Sequence, residues 1–255
     1  MDFENLIYKV DNGVLTITLN RPEVLNALST KLKDELGEAF QKAEGDKSVK
    51  SIIITGAGNK GFCAGQDLNE SKDVDEETAK AWVDEFENLY RIIKSVTKPI
   101  IASINGSVAG SGLQLALLAD IRIASPNAKF GMTEVNVGLP CIIGSTMFWE
   151  VMGKSKTIDL ILTGRLLKAE EAYEYDLITR LADSQESLHD ETLKIAEEMA
   201  AKPPVAVSTN KKWFNKLSQE NFDACMIFAK EAHTISYRSN EPQDMMNKFL
   251  SKQVK

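Results

Sequence analysis

Cysteine and histidine are scarce in this chain of 255 residues, which carries three cysteines (Cys63, Cys141, Cys225) and two histidines (His189, His233). The cysteines are odd in number and form no CxxC pair, so neither a disulfide framework nor a cysteine-rich zinc site is indicated. Two histidines in a polar, helical C-terminal region leave no basis for a histidine triad or a His-rich metal centre, and no metal is expected. Basic residues are in deficit, 30 against 37 acidic, for a formal net charge of -7. A phosphate backbone is met by basic surfaces, which argues against nucleic acid as a partner. No apolar run reaches the ~18 residues a membrane helix needs. The nearest, Ile100 to Leu118, is broken by Ser103, Asn105, Gly106, Ser107, Gly110, Ser111, Gly112 and Gln114. The first residues are charged and lack the apolar core of a secretory signal. The expectation is a cytoplasmic, soluble protein with neither nucleic acid nor membrane as a partner.

What is present is an ordinary globular balance, 43% hydrophobic and 26% charged. Ile7–Val10 and Val14–Asn20 read as two strands around Asp11-Asn12-Gly13, a strong hairpin signal. Ser29 can cap a helix that places Leu32, Leu36 and Phe40 on one face. Ile52–Ile54 reads as a buried strand, followed by a glycine-rich loop from Gly56 to Gly65. A second helix carries the apolar stripe Trp82, Phe86, Leu89 and Ile93. Ile100–Ile104 and Ile121–Ala124 are further strands, separated by the Asn105-Gly106 turn and an apolar helix from Leu113 to Ala119. This alternation predicts an α/β fold. Beyond about Ser155 the signals are nearly all helical, with Pro203-Pro204 opening one helix and Asn221–Arg238 and Asp244–Leu250 following. The expected organisation is a core over residues 1–200 and a helical region over 201–255, with no flexible linker between them.

Gly56-Ala57-Gly58-Asn59-Lys60-Gly61 matches GxGxxG after a strand, the signature of a dinucleotide site. The context disagrees. The third glycine should open a helix, yet Phe62-Cys63-Ala64-Gly65 continues the loop. The acidic residue expected about 20 residues on would fall in the charged run at Asp75, Glu76 and Glu77. A dinucleotide-dependent oxidoreductase is the rejected reading.

Three segments carry chemistry together: Gly61-Phe62-Cys63-Ala64-Gly65-Gln66-Asp67-Leu68, Asn105-Gly106-Ser107-Val108-Ala109-Gly110-Ser111-Gly112, and Phe130-Gly131-Met132-Thr133-Glu134-Val135 running to Gly138-Leu139-Pro140. With Asn20–Leu28, Leu162–Arg165 and Ala169–Ala172, they occur in an order and spacing that resembles the crotonase (enoyl-CoA hydratase/isomerase) family. The resemblance implies an α/β spiral of repeated ββα units, related to the ClpP-like fold, with a helical C-terminal trimerisation region. It implies a homotrimer or a dimer of trimers. The implied substrate is an acyl-CoA thioester, with coenzyme A belonging to the substrate and no separate cofactor.

When a thioester is deprotonated at its α-carbon or attacked at its β-carbon, charge grows on the carbonyl oxygen, and preorganised N–H groups stabilise it. The resemblance assigns this oxyanion hole to the backbone N–H groups of Gln66 and Ser111, between glycines that let the backbone approach. It makes Glu134 the acid/base, its pKa raised if the pocket is dry. It places Val24, Ala64, Asp67, Leu68 and Gly112 against the substrate, Asp67 bracing its loop rather than reacting. Hydratases of the family carry a second glutamate where this chain has Gln114, and an amide cannot accept a proton at neutral pH. A single carboxylate suits moving a double bond, so an enoyl-CoA isomerase is expected. The alternatives are a hydratase in which Gln114 places water, or a catalytically weak acyl-CoA-binding protein. Arg21, Lys60 and Phe249-Leu250-Ser251-Lys252 are candidates for contact with coenzyme A, and Cys141 is read as a core thiol.

Overall fold

The computed structural model describes residues 3–253. Four strand-strand-helix passes come first. They are β1 (Leu6–Asp11), β2 (Val14–Leu19) and α1 (Thr30–Gly45); β3 (Ser51–Gly56), β4 (Gly61–Cys63), the short α2 (Leu68–Ser71) and α3 (Ala79–Ser95); β5 (Ile100–Ile104), β6 (Ser107–Ala109) and α4 (Ser111–Leu117); and β7 (Ile121–Ala124), β8 (Lys129–Gly131) and α5 (Ile142–Met152). The remainder holds α6 (Lys154–Thr163), β9 (Leu167–Lys168), α7 (Ala169–Glu174), β10 (Arg180–Leu181), α8 (Leu188–Ala200), α9 (Pro204–Arg238) and α10 (Glu241–Gln253).

The passes build two sheets at once. A six-stranded sheet runs β1-β2-β3-β5-β7-β10 and a four-stranded one runs β4-β6-β8-β9. Each of the pairs β3/β4, β5/β6 and β7/β8 therefore gives its first strand to the large sheet and its second to the small one. This is the expected spiral of ββα units. β3, β5 and β7 are parallel neighbours, and Ile52, Ile54, Ile100, Ile101 and Ile104 are buried on both faces, as parallel strands covered by helices require. The β1–β2 hairpin closes with both turn residues left-handed, Asn12 at φ 47° and Gly13 at φ 85°, the conformation that Asn-Gly favours. Ser29 caps α1 by accepting from Leu32 N–H at 3.2 Å.

Several elements differ from the sequence expectation. β4 lies inside the stretch read as a loop from Gly56 to Gly65, and β6 follows directly on the Asn105-Gly106 turn. Three residues are too few to display a period, so only pairing across the small sheet makes these segments strands. β9 and β10 interrupt the half read as helical. The helices expected from Pro203-Pro204 and over Asn221–Arg238 are one continuous element, α9, of 35 residues, while the one expected over Asp244–Leu250 is α10. Phe222, Cys225, Met226 and Ala229 of α9 join the same apolar core as the strands of the large sheet. The opposite side of α9 carries Trp213, Leu217, Ile227, Phe228 and Ile235 at helical spacing, all exposed, so this helix is apolar on two faces. Among the described residues, no helix is long and apolar enough to cross a membrane.

Candidate active site

The segments with chemical potential meet at a cleft of about 820 Å³, bordered by the loops after β4, β6 and β8 and by α3, α9 and α10. The Pro22–Val24 turn forms part of its rim. Leu25 and Asn26 follow in left-handed conformation, φ 52° and 58°. Asn26 is fully buried. It accepts from Arg21 N–H and donates to the carbonyls of Ala57 and Gly61. Asn105 does the same from the other side, donating to Gly56 and Gly58 oxygens and accepting from Gly56 N–H. The GxGxxG segment is thus a packed bend tied down by two asparagines, with Gly61 opening a strand and not a helix.

The loop after β4 brings Gln66 to the cleft. Leu28 N–H donates to Gly65 O at 2.7 Å and Asp67 N–H donates to Leu28 O at 3.0 Å. Backbone groups alternate along an extended chain, so the intervening Gln66 N–H points away from Leu28 and donates to nothing among the described residues. Ser111 is the first residue of α4, where an N–H has no intrahelical acceptor. The two loops touch: a Cβ added at Gly65, whose φ is +99°, would lie 2.9 Å from Ala109 O and 3.5 Å from Ser111 N. The Ser111 hydroxyl is buried without a partner among the described residues.

Glu134 begins a 3-10 turn, Glu134–Val137, directly after the small sheet. Its carboxyl lies over Gly110, so close that a Cβ there would be 3.5 Å from Oε1. The residue opens partly to the cleft, but Oε2 is enclosed and has no hydrogen-bond partner among the described residues. Burial raises the carboxyl pKa above the ordinary glutamate value, opposed by nearby donors including Gln114. Gln114 Nε2 donates to Glu134 Oε1 at 3.1 Å, and Gln114 Oε1 accepts from the Tyr90 hydroxyl at 3.0 Å. Cys141 lines the cleft against the same carboxyl, its thiol held well above the usual range by burial and then by Glu134. It is buried, as a core thiol would be, and it is also a wall of the site.

Val24, Ala64, Gln66, Asp67, Leu68, Ser111, Gln114 and Glu134 all line this cleft, whereas Gly112 does not. A Cβ at Gly112 would meet Cys63 O at 2.4 Å and Cys63 Sγ at 2.7 Å, so this glycine lets α4 pack on β4. Asp67 pairs with Arg21 at 2.9 Å and caps α2 through Asn69 N–H. Arg21 also donates to Ala27 O at 2.7 Å. It is occupied in bracing the two loops and does not line the cleft. Lys60 is exposed outside the cleft, and Lys129 is the one basic residue among those that line it. Phe249 and Leu250 reach the cleft from α10. Sequence reasoning missed Tyr90, Lys129 and the wall formed by Trp82, Phe86 and His233. Tyr90 lies four residues beyond Phe86 on the same helix stripe, the one signal that could have placed it here.

Known proteins resemble this chain in sequence and in fold. The family model described as "Enoyl-CoA hydratase/isomerase" matches residues 9–254. A short-chain-enoyl-CoA hydratase of Clostridium acetobutylicum is 32% identical over 99% of this chain and 97% of its own. A 1,2-epoxyphenylacetyl-CoA isomerase of Escherichia coli is 34% identical over 98% and 96%. The crystal structure of an enoyl-CoA hydratase/isomerase from Xanthobacter autotrophicus Py2 superposes with a TM-score of 0.89, at 26% identity over 99% of this chain and 94% of that one.

Proposed function

The chain belongs to the enoyl-CoA hydratase/isomerase family, and on that premise we propose that it moves a double bond within an enoyl-CoA, with Glu134 as the single proton carrier. The thioester oxygen sits between the N–H groups of Gln66 and Ser111. The Glu134 carboxylate removes a proton from the α-carbon of a 3-enoyl-CoA. The electrons pass into a dienolate whose oxygen the two N–H groups stabilise, and the same carboxyl returns the proton at the γ-carbon. The product is the conjugated 2-enoyl-CoA. Every step uses groups of this chain, so the reading calls for no separate cofactor, coenzyme A being part of the substrate.

The observation that carries this reading is the bond from Gln114 Nε2 to Glu134 Oε1. The group beside the carboxyl is an amide facing it as a donor, not a second carboxyl. Hydration is the second reading, supported by the hydratase names of several relatives and by an amide close enough to orient water. The test compares two substrates. Isomerisation of 3-hexenoyl-CoA raises the absorbance of the conjugated thioester, and hydration of crotonyl-CoA lowers it. Faster hydration than isomerisation would overturn the proposal. Tight acyl-CoA binding with no turnover of either would favour a binding protein.

The same reading includes a homotrimer or a dimer of trimers, supported by the exposed apolar side of α9. Sedimentation equilibrium measures that mass directly.

A further inference from the structure

The far wall of the cleft carries a feature that bond shifting does not need. Along α3, Trp82, Phe86 and Tyr90 recur every fourth residue, so they lie on one face. Tyr90 reaches Gln114 beside the carboxyl, and Trp82 lies eight residues earlier, about 12 Å along the helix at 1.5 Å per residue. There the wall is aromatic. Trp82 and Phe86 meet edge to face at 5.0 Å, the ring of His233 from α9 is 5.5 Å from Trp82, and Phe249 comes from α10.

His233 is the exception in this apolar wall. Its Nδ1 lies 2.8 Å from Ala229 O. A carbonyl oxygen only accepts, so Nδ1 holds the proton. Burial lowers the imidazole pKa, which keeps the ring neutral. Nε2 is then a bare acceptor. It makes no hydrogen bond among the described residues, and the residue lines the cleft.

We propose that His233 is a specificity residue, selecting acyl groups that end in a ring bearing a hydrogen-bond donor, a phenol being the simplest case. An alkyl or plain phenyl terminus would shut solvent away from Nε2 and leave a buried acceptor unpaired, which binding sites penalise strongly. A phenolic O–H donates to Nε2, and its ring stacks within the Trp82, Phe86 and Phe249 wall. The inference rests on the proposed acyl-CoA function of the cleft and adds the class of acyl group.

The test uses saturated, unreactive ω-aryl alkanoyl-CoA thioesters that differ only at the para position: hydroxyl, methoxyl or hydrogen. Affinity is measured by calorimetry on the whole protein, so the readout does not depend on turnover. The hydroxyl compound should bind at least about tenfold more tightly than the methoxyl compound, which lacks the donor. His233→Phe keeps a ring and removes the acceptor, and should abolish that preference. His233→Gln returns an acceptor near the position of Nε2 and should restore part of it. Equal wild-type affinities would overturn the proposal without any variant, as would a preference that survives His233→Phe. Failure of all three thioesters to bind would instead count against the acyl-CoA function itself.

Discussion

The Tyr90 hydroxyl donates to Gln114 Oε1 at 3.0 Å, which turns the amide so that its Nε2 faces Glu134. Tyr90 is fully buried, and loss of its hydroxyl would leave the amide oxygen unpaired and free to rotate. In Tyr90→Phe the weakened hold on the carboxyl should cost about 1 kcal/mol, a roughly fivefold fall in kcat for bond shifting. KM should change little, because Tyr90 does not line the cleft. The freed amide oxygen can accept from water, so the ratio of hydration to isomerisation should rise. Product analysis from a 3-enoyl-CoA and a 2-enoyl-CoA measures both.

Replacing Gln114 with glutamate tests the same geometry from the other side. Gln114→Glu places a second carboxyl against the first, and like charges raise each other's pKa. Hydration of crotonyl-CoA should increase relative to isomerisation. The acid limb of the pH–rate profile should also move upward from its wild-type position.

Glu134 should set that acid limb. The base form is needed, and burial raises the carboxyl pKa, so activity should fall as pH drops through a value above the ordinary glutamate range. Glu134→Gln should lower turnover by about 10²–10⁴-fold.

Stability should respond in the opposite sense. A carboxyl whose folded-state pKa is raised favours the fold fully below its unfolded pKa and loses that contribution as pH rises through the folded value. Glu134→Gln should therefore be more stable than wild type at neutral pH, and the two should converge at pH values below the ordinary glutamate range. Urea denaturation at several pH values measures the difference.

Gly112 should tolerate no side chain. A Cβ there would lie 2.4 Å from the Cys63 carbonyl, so Gly112→Ala must push α4 off β4. Overpacking of this kind costs about 1–3 kcal/mol, and the shift would displace the neighbouring Ser111 N–H. Both urea stability and kcat/KM should fall. Gly45→Ala is the control: nothing lies within 4 Å of the new Cβ, and stability should hold or rise by about 0.4–1 kcal/mol.

That Gln66, Ser111 and Glu134 would meet at one cleft was legible because each sits in a short segment with its own local signature. Gln66 and Ser111 lie next to glycines that turn the chain, and Glu134 follows a short strand. The Ser29 cap and the Asn-Gly turn were legible for the same reason, since both depend on neighbours a few residues away. Gly112 shows the limit: its glycine signal was clear, but a ligand and a packed cysteine both demand a missing side chain.

The linear order of residues carried the ββα spiral, the two loops with free N–H groups and the carboxyl of Glu134, because backbone conformation and hydrophobic period are local properties. Folding decided the partners. Tyr90 meets Gln114 across 24 positions, Arg21 is taken by Asp67 across 46, and His233 arrives from α9 to complete a wall begun by α3. Such contacts depend on which surfaces the core brings together, and no spacing along the chain encodes which polar atom will be left facing an empty cleft.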